Sequence, residues 1–191
     1  MTADTPLGPL DALLALLPLH DLPRTGWLQH GIQNPESVGD HTLGTCLVAL
    51  ALAQRAKPSV DVDRAVALAL VHDAPEALIG DWPKPASRLL PPGAKAAVED
   101  KAAAQLLGPL SNVAHERFVE YRQMESREAR FVRVCDGLHL GLRLLAYRRR
   151  GHGDLADFEK SLAELDCSEF DAADELKRDL IAALHALARA H

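Results

Sequence analysis

The chain has 191 residues with a formal net charge of −6, from 27 acidic and 21 basic side chains, and 48% of its residues are hydrophobic while only 4% are aromatic. That length allows one domain with a sizeable core, and the composition excludes a disordered or low-complexity chain. The acidic balance argues against extended DNA or RNA as a partner, and the Ala- and Leu-rich, aromatic-poor content favours helices over strands.

In chain order, residues 8–18 predict a first helix that stops near Pro18. MTADTPLGPLDALLALLPLH has no basic leader region and is too short to span a bilayer, so Leu13, Leu14, Leu16 and Leu17 are expected to cover a core. Residues 19–37 read as loop, punctuated by Pro23, Gly26, Gly31 and Pro35. A second helix is expected over 38–56, with Ser37 as its cap and Asp40 capping or orienting it. His41 stands in its first turn, and its later face carries Leu43, Leu47 and Leu50. A third helix starts after Asp61, a cap residue, and ends at Asp73, because Pro75 disfavours helical geometry at Ala74. A short turn at 75–79 and a Pro-rich loop at 80–93 follow. Further helices are predicted at 94–107, 112–123, 126–149, 154–165 and 168–190. No repeat or alternating strand pattern occurs, so the fold class is all-α, a single helical bundle over 1–191 with C-terminal helices at about 154–190. The charged segment 114–130 reads as a solvated face, and RRR at 148–150 as the dipole-favoured end of a helix.

Cys46, Cys135 and Cys167 are far apart and form no CxxC pair, which disfavours a Cys-rich zinc site and fits a cytoplasmic protein. The chemistry concentrates elsewhere. In AVALALVHDAPEALIG, residues 65–80, His72 and Asp73 interrupt an apolar run. Burying such a pair is costly unless something binds it, and a divalent metal accepts imidazole nitrogen and carboxylate oxygen together. Asp136 falls on an apolar stripe with Val132, Leu140 and Leu144, where a carboxylate needs a partner. His41, His72, Asp73 and Asp136 are therefore the candidate metal ligands. Two imidazoles and two carboxylates suit Mn, Co, Fe, Ni or Zn, in an octahedral site with two open positions rather than a filled tetrahedron. His20, His30, His115, His139, His152, His185 and His191 are read as structural.

The order H…HD…D, together with RTGW (24–27), PESVGDH (35–41), LVHDAPEALIGD (70–81) and REARFVRVCD (127–136), resembles the HD-domain metal-dependent phosphohydrolases, and within them the 5′-deoxynucleotidases. The resemblance implies an all-α HD domain, often homodimeric, that removes phosphate from deoxyribonucleoside 5′-monophosphates. It implies His41, His72, Asp73 and Asp136 as metal ligands. Arg24 and Trp27 are then placed at the substrate phosphate, Glu76 as a catalytic carboxylate and Asp81 at the nucleotide site. Glu76 and Asp81 can also hold a second ion such as Mg.

Each of these residues has a plainer reading: a surface ion pair for Arg24, core packing for Trp27, an exposed first-turn carboxylate for Glu76 and turn chemistry for Asp81. Glu36 is expected to orient Arg24, and Glu99 to lie on a solvated face. The expectation is a cytoplasmic hydrolase with a small-molecule nucleotide substrate, no membrane partner and no extended nucleic acid. The alternatives are an HD phosphohydrolase for another phosphate ester, cyclic nucleotide or nucleoside polyphosphate, and a non-catalytic metal- or nucleotide-binding regulator.

Overall fold

Helices carry the chain, as the Ala- and Leu-rich sequence requires. A computed structural model describes residues 7–190; residues 1–6 and His191, one of the histidines assigned a structural place, lie outside the described residues. The helices are α1 (Pro9–Leu16), α2 (Thr25–Gln29), α3 (Val38–Ala53), α4 (Val62–Val71), α5 (Glu76–Ile79), α6 (Lys84–Ser87), α7 (Ala94–Leu110), α8 (Asn112–Gln123), α9 (Arg127–Arg149), α10 (Ala156–Glu164) and α11 (Asp171–Ala190). A 3-10 turn, Leu17–His20, continues α1. Among the described residues the only β pairing is one isolated antiparallel bridge, Pro23 with Ser37. No helix among them is long and apolar enough to cross a membrane.

The caps follow the expected chemistry. Asp61 accepts from the Arg64 N–H at 3.0 Å and so starts α4. Ser126 accepts from the Ala129 N–H at 3.1 Å and starts α9. The long helices match their predicted spans within a few residues. Three boundaries differ: the loops at 19–37 and 80–93 each contain a short helix, α2 and α6, and α7 runs on through Pro109 to Leu110. A proline in the last turn of α7 does not end it at once.

The chain divides into two compact units: residues up to Thr42 with Leu70–Gln123, and Leu43–Ala69 with the chain from Met124 onward. In the first unit, α7 packs on α1, α5 and α8. Val71, Ala74, Ala103, Leu106, Leu107 and Phe118 form its buried cluster, with Leu16 and Ala15 of α1 against it. Leu13, Leu14 and Leu17 are more than half exposed, so of the four leucines expected to cover a core only Leu16 does. A helix with leucine on every side cannot bury all of them in one groove. Within the charged segment 114–130 Phe118, Tyr121 and Ala129 are buried, while none of its charged residues is.

In the second unit, α9 packs on α10 and α11. Gly137 and Gly141 admit the leucines of those packings: a Cβ at Gly137 would lie 2.7 Å from Leu165, and one at Gly141 would lie 2.8 Å from Leu162. Phe131 and Phe170 meet edge to face at 5.1 Å. Leu43, Leu47 and Leu50 recur along one exposed stripe of α3, while Val48, Ala49, Leu52 and Ala53 are buried. Arg148, of the RRR run, ends α9 by donating to the carbonyls of His152 and Gly153. Cys46, Cys135 and Cys167 are free and buried, and burial raises the pKa of all three thiols.

Candidate metal centre

Local structure in the first unit brings its predicted residues together. The α3 N-terminus is closed by a reciprocal cap: Asp40 N–H donates to Ser37 Oγ and Ser37 N–H donates to Asp40 Oδ2, both at 3.0 Å. That cap places His41 in the first turn, fully buried. The last residue of α4 is Val71, so His72 and Asp73 stand just past its C-terminus, as Pro75 predicts. Pro75 itself keeps helical geometry (φ −56°, ψ −27°), and the chain turns directly into α5, whose first residue is Glu76.

His41, His72 and Asp73 each offer one donor atom, and the three atoms lie within 4.8 Å of one another. Both Nε2 atoms face Asp73 Oδ2, that of His72 at 3.2 Å and that of His41 at 3.6 Å. Two imidazole nitrogens and a carboxylate oxygen converging at that spacing fit a divalent transition metal by donor type. Burial alone would raise the Asp73 pKa, but the His72 imidazole, through its charge and hydrogen bond, together with Arg24 and His41, outweighs it. The carboxyl is held well below the usual carboxylate range. Asp73 is therefore ionised and ready to ligate at any ordinary pH.

Arg24 connects this group to the next two carboxylates. Its Nη1 lies 3.2 Å from Asp73 Oδ2, 3.4 Å from Asp81 Oδ1 and 3.8 Å from Glu76 Oε2. The surface ion-pair reading of Arg24 fails, since this cluster is mostly buried. Glu76 is 7% exposed, and its Oε2 is buried and accepts no hydrogen bond among the described residues. Burial first, and then the charges of Asp73 and Asp81, push its pKa up to about 10 against the opposing pull of Arg24 and Lys95. Glu76 is therefore a neutral acid at pH 7 in this structure, and its exposed-carboxylate reading fails as well.

Trp27 is buried in α2, and its Nε1–H donates to Glu36 Oε1 at 2.9 Å, while the Arg24 N–H donates to the Glu36 carbonyl at 3.0 Å. Glu36 thus holds Trp27 by its side chain and Arg24 by its backbone. Asp136 is placed on α9 in the second unit, half-buried, with Arg133 Nη1 at 3.7 Å from its Oδ2.

One contributor escaped the sequence reading. Tyr121 sits edge-on against His72, with ring centroids 5.5 Å apart; lying inside a heavily charged segment, it gave no signal. Glu99, assigned to a solvated face, instead bridges Lys95 at 3.3 Å and Arg122 at 3.1 Å. Three further histidines have defined neighbours. His30 Nδ1 meets the Gly26 carbonyl at 2.9 Å, His152 stacks edge-on with Tyr147, and His139 fills the space beside Gly44.

The HD domain family matches residues 18–173. The chain is 30% identical over 174 residues to the 5′-deoxynucleotidase hdd1 of Schizosaccharomyces pombe, covering 83% of this chain and 82% of that protein. It is 36% identical over 151 residues to the 5′-deoxynucleotidase HDDC2 of Homo sapiens, covering 76% and 72% respectively. A solved structure of a protein from Pyrococcus horikoshii OT3 superposes with a TM-score of 0.80 at 28% identity, covering 91% of this chain and 99% of that one. A divalent metal is implied by the family, and the convergence of His41, His72 and Asp73 agrees with it. Since the family match takes in most of the sequence and relatives above 30% identity span it broadly, the chain belongs to the HD-domain family.

Proposed function

We propose that this protein is a metal-dependent phosphohydrolase that removes the 5′-phosphate from (deoxy)ribonucleoside 5′-monophosphates. The observation that carries the reading is the approach of one guanidinium nitrogen, Arg24 Nη1, to Asp73 at the His41–His72–Asp73 group and to Glu76 and Asp81. The 5′-deoxynucleotidase names of the relatives support the substrate class.

His41, His72 and Asp73 hold the metal, with Asp136 as the fourth ligand on the strength of the sequence pattern. A transition ion such as Mn, Co, Fe, Ni or Zn suits these donors; a second ion such as Mg at Glu76 and Asp81 is the alternative role of Glu76, which would then be deprotonated and not the proton carrier. A divalent ion held there supplies Lewis-acid stabilisation of charge on the phosphate. Arg24 binds phosphate oxygens through its planar fork. Trp27 walls the pocket and fixes the approach of the phosphate. Glu76, neutral before substrate arrives, carries the proton that the leaving 5′-oxygen needs. Residues 1–191 act as one HD domain, in the cytoplasm, as a homodimer.

The test is phosphate release from a panel of 5′-monophosphates by chelator-stripped protein with Mn, Co, Ni, Fe, Zn or Mg returned. Release from deoxyribonucleoside monophosphates is expected. Release only from a diester or polyphosphate would reassign the substrate, and metal binding without any release would make the protein a regulator. Size-exclusion chromatography with light scattering tests the dimer, and a monomer mass would remove that part.

A further inference from the structure

Asp81 has no regular structure of its own to hold it. The chain leaves α5 through Gly80 at φ 78°, a conformation other residues rarely adopt, and residues 80–83 belong to no helix. Three bonds to residues 24 and 25 fix Asp81 instead. Its Oδ1 meets Arg24 Nη1 at 3.4 Å. Its Oδ2 accepts from the Thr25 N–H, and its carbonyl accepts from Thr25 Oγ1 at 2.9 Å. Thr25 is the first residue of α2, where a backbone N–H has no partner inside the helix and a carboxylate is favoured by the dipole.

We propose that Thr25 is a positioning residue: its N–H and hydroxyl together clamp Asp81 so that the carboxylate presents one oxygen to Arg24. Adjacent residues thus engage both carboxylate oxygens, Arg24 by charge and Thr25 by its amide. The hydroxyl then fixes the backbone of the same aspartate, which a side-chain contact alone would leave free to rotate. The consequence for turnover rests on the reading of Asp81 as part of the nucleotide or second-ion site; the clamp itself does not.

The variants separate the two donors. Thr25→Val removes the hydroxyl with little change of shape, and Thr25→Ser keeps it. Thr25→Pro removes both donors at a helix position that tolerates proline, after an Arg24 whose extended backbone suits a following proline. With a deoxyribonucleoside 5′-monophosphate, Thr25→Val is expected to lower kcat/KM about fivefold, the loss of one hydrogen bond. Thr25→Ser restores it, and Thr25→Pro lowers it further. In an Asp81→Ala background Thr25→Val adds nothing, because the group it positions is gone. Hydrogen exchange supplies the readout independent of turnover: the Thr25 amide is expected to exchange faster in Asp81→Ala, and the amides of residues 80–82 faster in Thr25→Val, a variant whose bound-metal content is unchanged. Additive losses, failure of serine to rescue, or unchanged exchange would overturn the clamp. If the wild type hydrolyses no monophosphate, the proposed function falls while the exchange measurement still judges Thr25.

Discussion

The buried Glu76 makes the metal-free protein lose stability as pH rises, and Glu76→Gln removes that loss. In the unfolded chain this carboxyl titrates near its ordinary value of 4.5; in the folded protein burial and the charges of Asp73 and Asp81 push it up to about 10. Between those values the folded state holds one proton more than the unfolded state. Stability therefore falls with increasing pH, by up to about 1.4 kcal/mol per pH unit. From pH 6 to pH 8 the Glu76 contribution is about 2.7 kcal/mol, and its size there depends only on the folded pKa lying above that range and the unfolded pKa below it. The assay is urea denaturation of chelator-treated wild type and Glu76→Gln at pH 6, 7 and 8. The other ionisable groups are common to both proteins, so the difference between them isolates position 76. The variant is expected to gain on the wild type steadily over those two units. Parallel stability curves would refute the argument, since they would mean that Glu76 is ionised in the folded protein despite its burial and its acidic neighbours.

Asp73→Asn is expected to lose the bound divalent ion, measured as metal content after gel filtration, together with metal-dependent turnover; retained metal would remove Asp73 from the ligand set. Trp27→Phe deletes the donor to a buried carboxylate, Glu36, and is expected to destabilise by about 2 kcal/mol in chemical denaturation, with Glu36→Gln in the same background recovering part of it. Gly44→Ala would place a Cβ 1.9 Å from His139 Nε2. Alanine gains about 1 kcal/mol in helix propensity, but the clash with a buried ring costs about 1–3 kcal/mol, so a lower melting temperature is expected.

His72 and Asp73 were legible because polar residues in an apolar run require an explanation, and Pro75 marked the helix end that carries them. Ser37 and Asp40 were legible as a cap because capping is a local matter of three residues. The short helices α2 and α6 were not. They lie in stretches punctuated by Pro and Gly, and α2 has five residues, too few to persist on propensity alone. What holds α2 comes from afar in sequence: Asp81 on its first N–H and Glu36 on its tryptophan. The role of Tyr121 was illegible for a related reason, since only the folded chain brings it to His72. The leucines of α1 show the limit of periodicity, which identifies an apolar helix but not which of several apolar faces finds a partner. The α3 stripe of Leu43, Leu47 and Leu50 shows the same limit.

The stretch from Leu22 to Val38 is tied at both ends and across its middle. Val38 N–H donates to the Leu22 carbonyl at 2.8 Å, Pro23 bridges Ser37, Arg24 N–H donates to the Glu36 carbonyl, and Trp27 donates to the Glu36 carboxylate. Such a closed segment carries its own ties. Any lineage that exchanged Trp27 for a residue without a donor would lose the hydrogen bond to the buried Glu36 side chain, so the two positions are expected to change together. For an engineer the segment is a cassette: exchanged whole between related chains it brings its own internal ties, whereas a graft cut between residues 27 and 36 separates a buried donor from its acceptor.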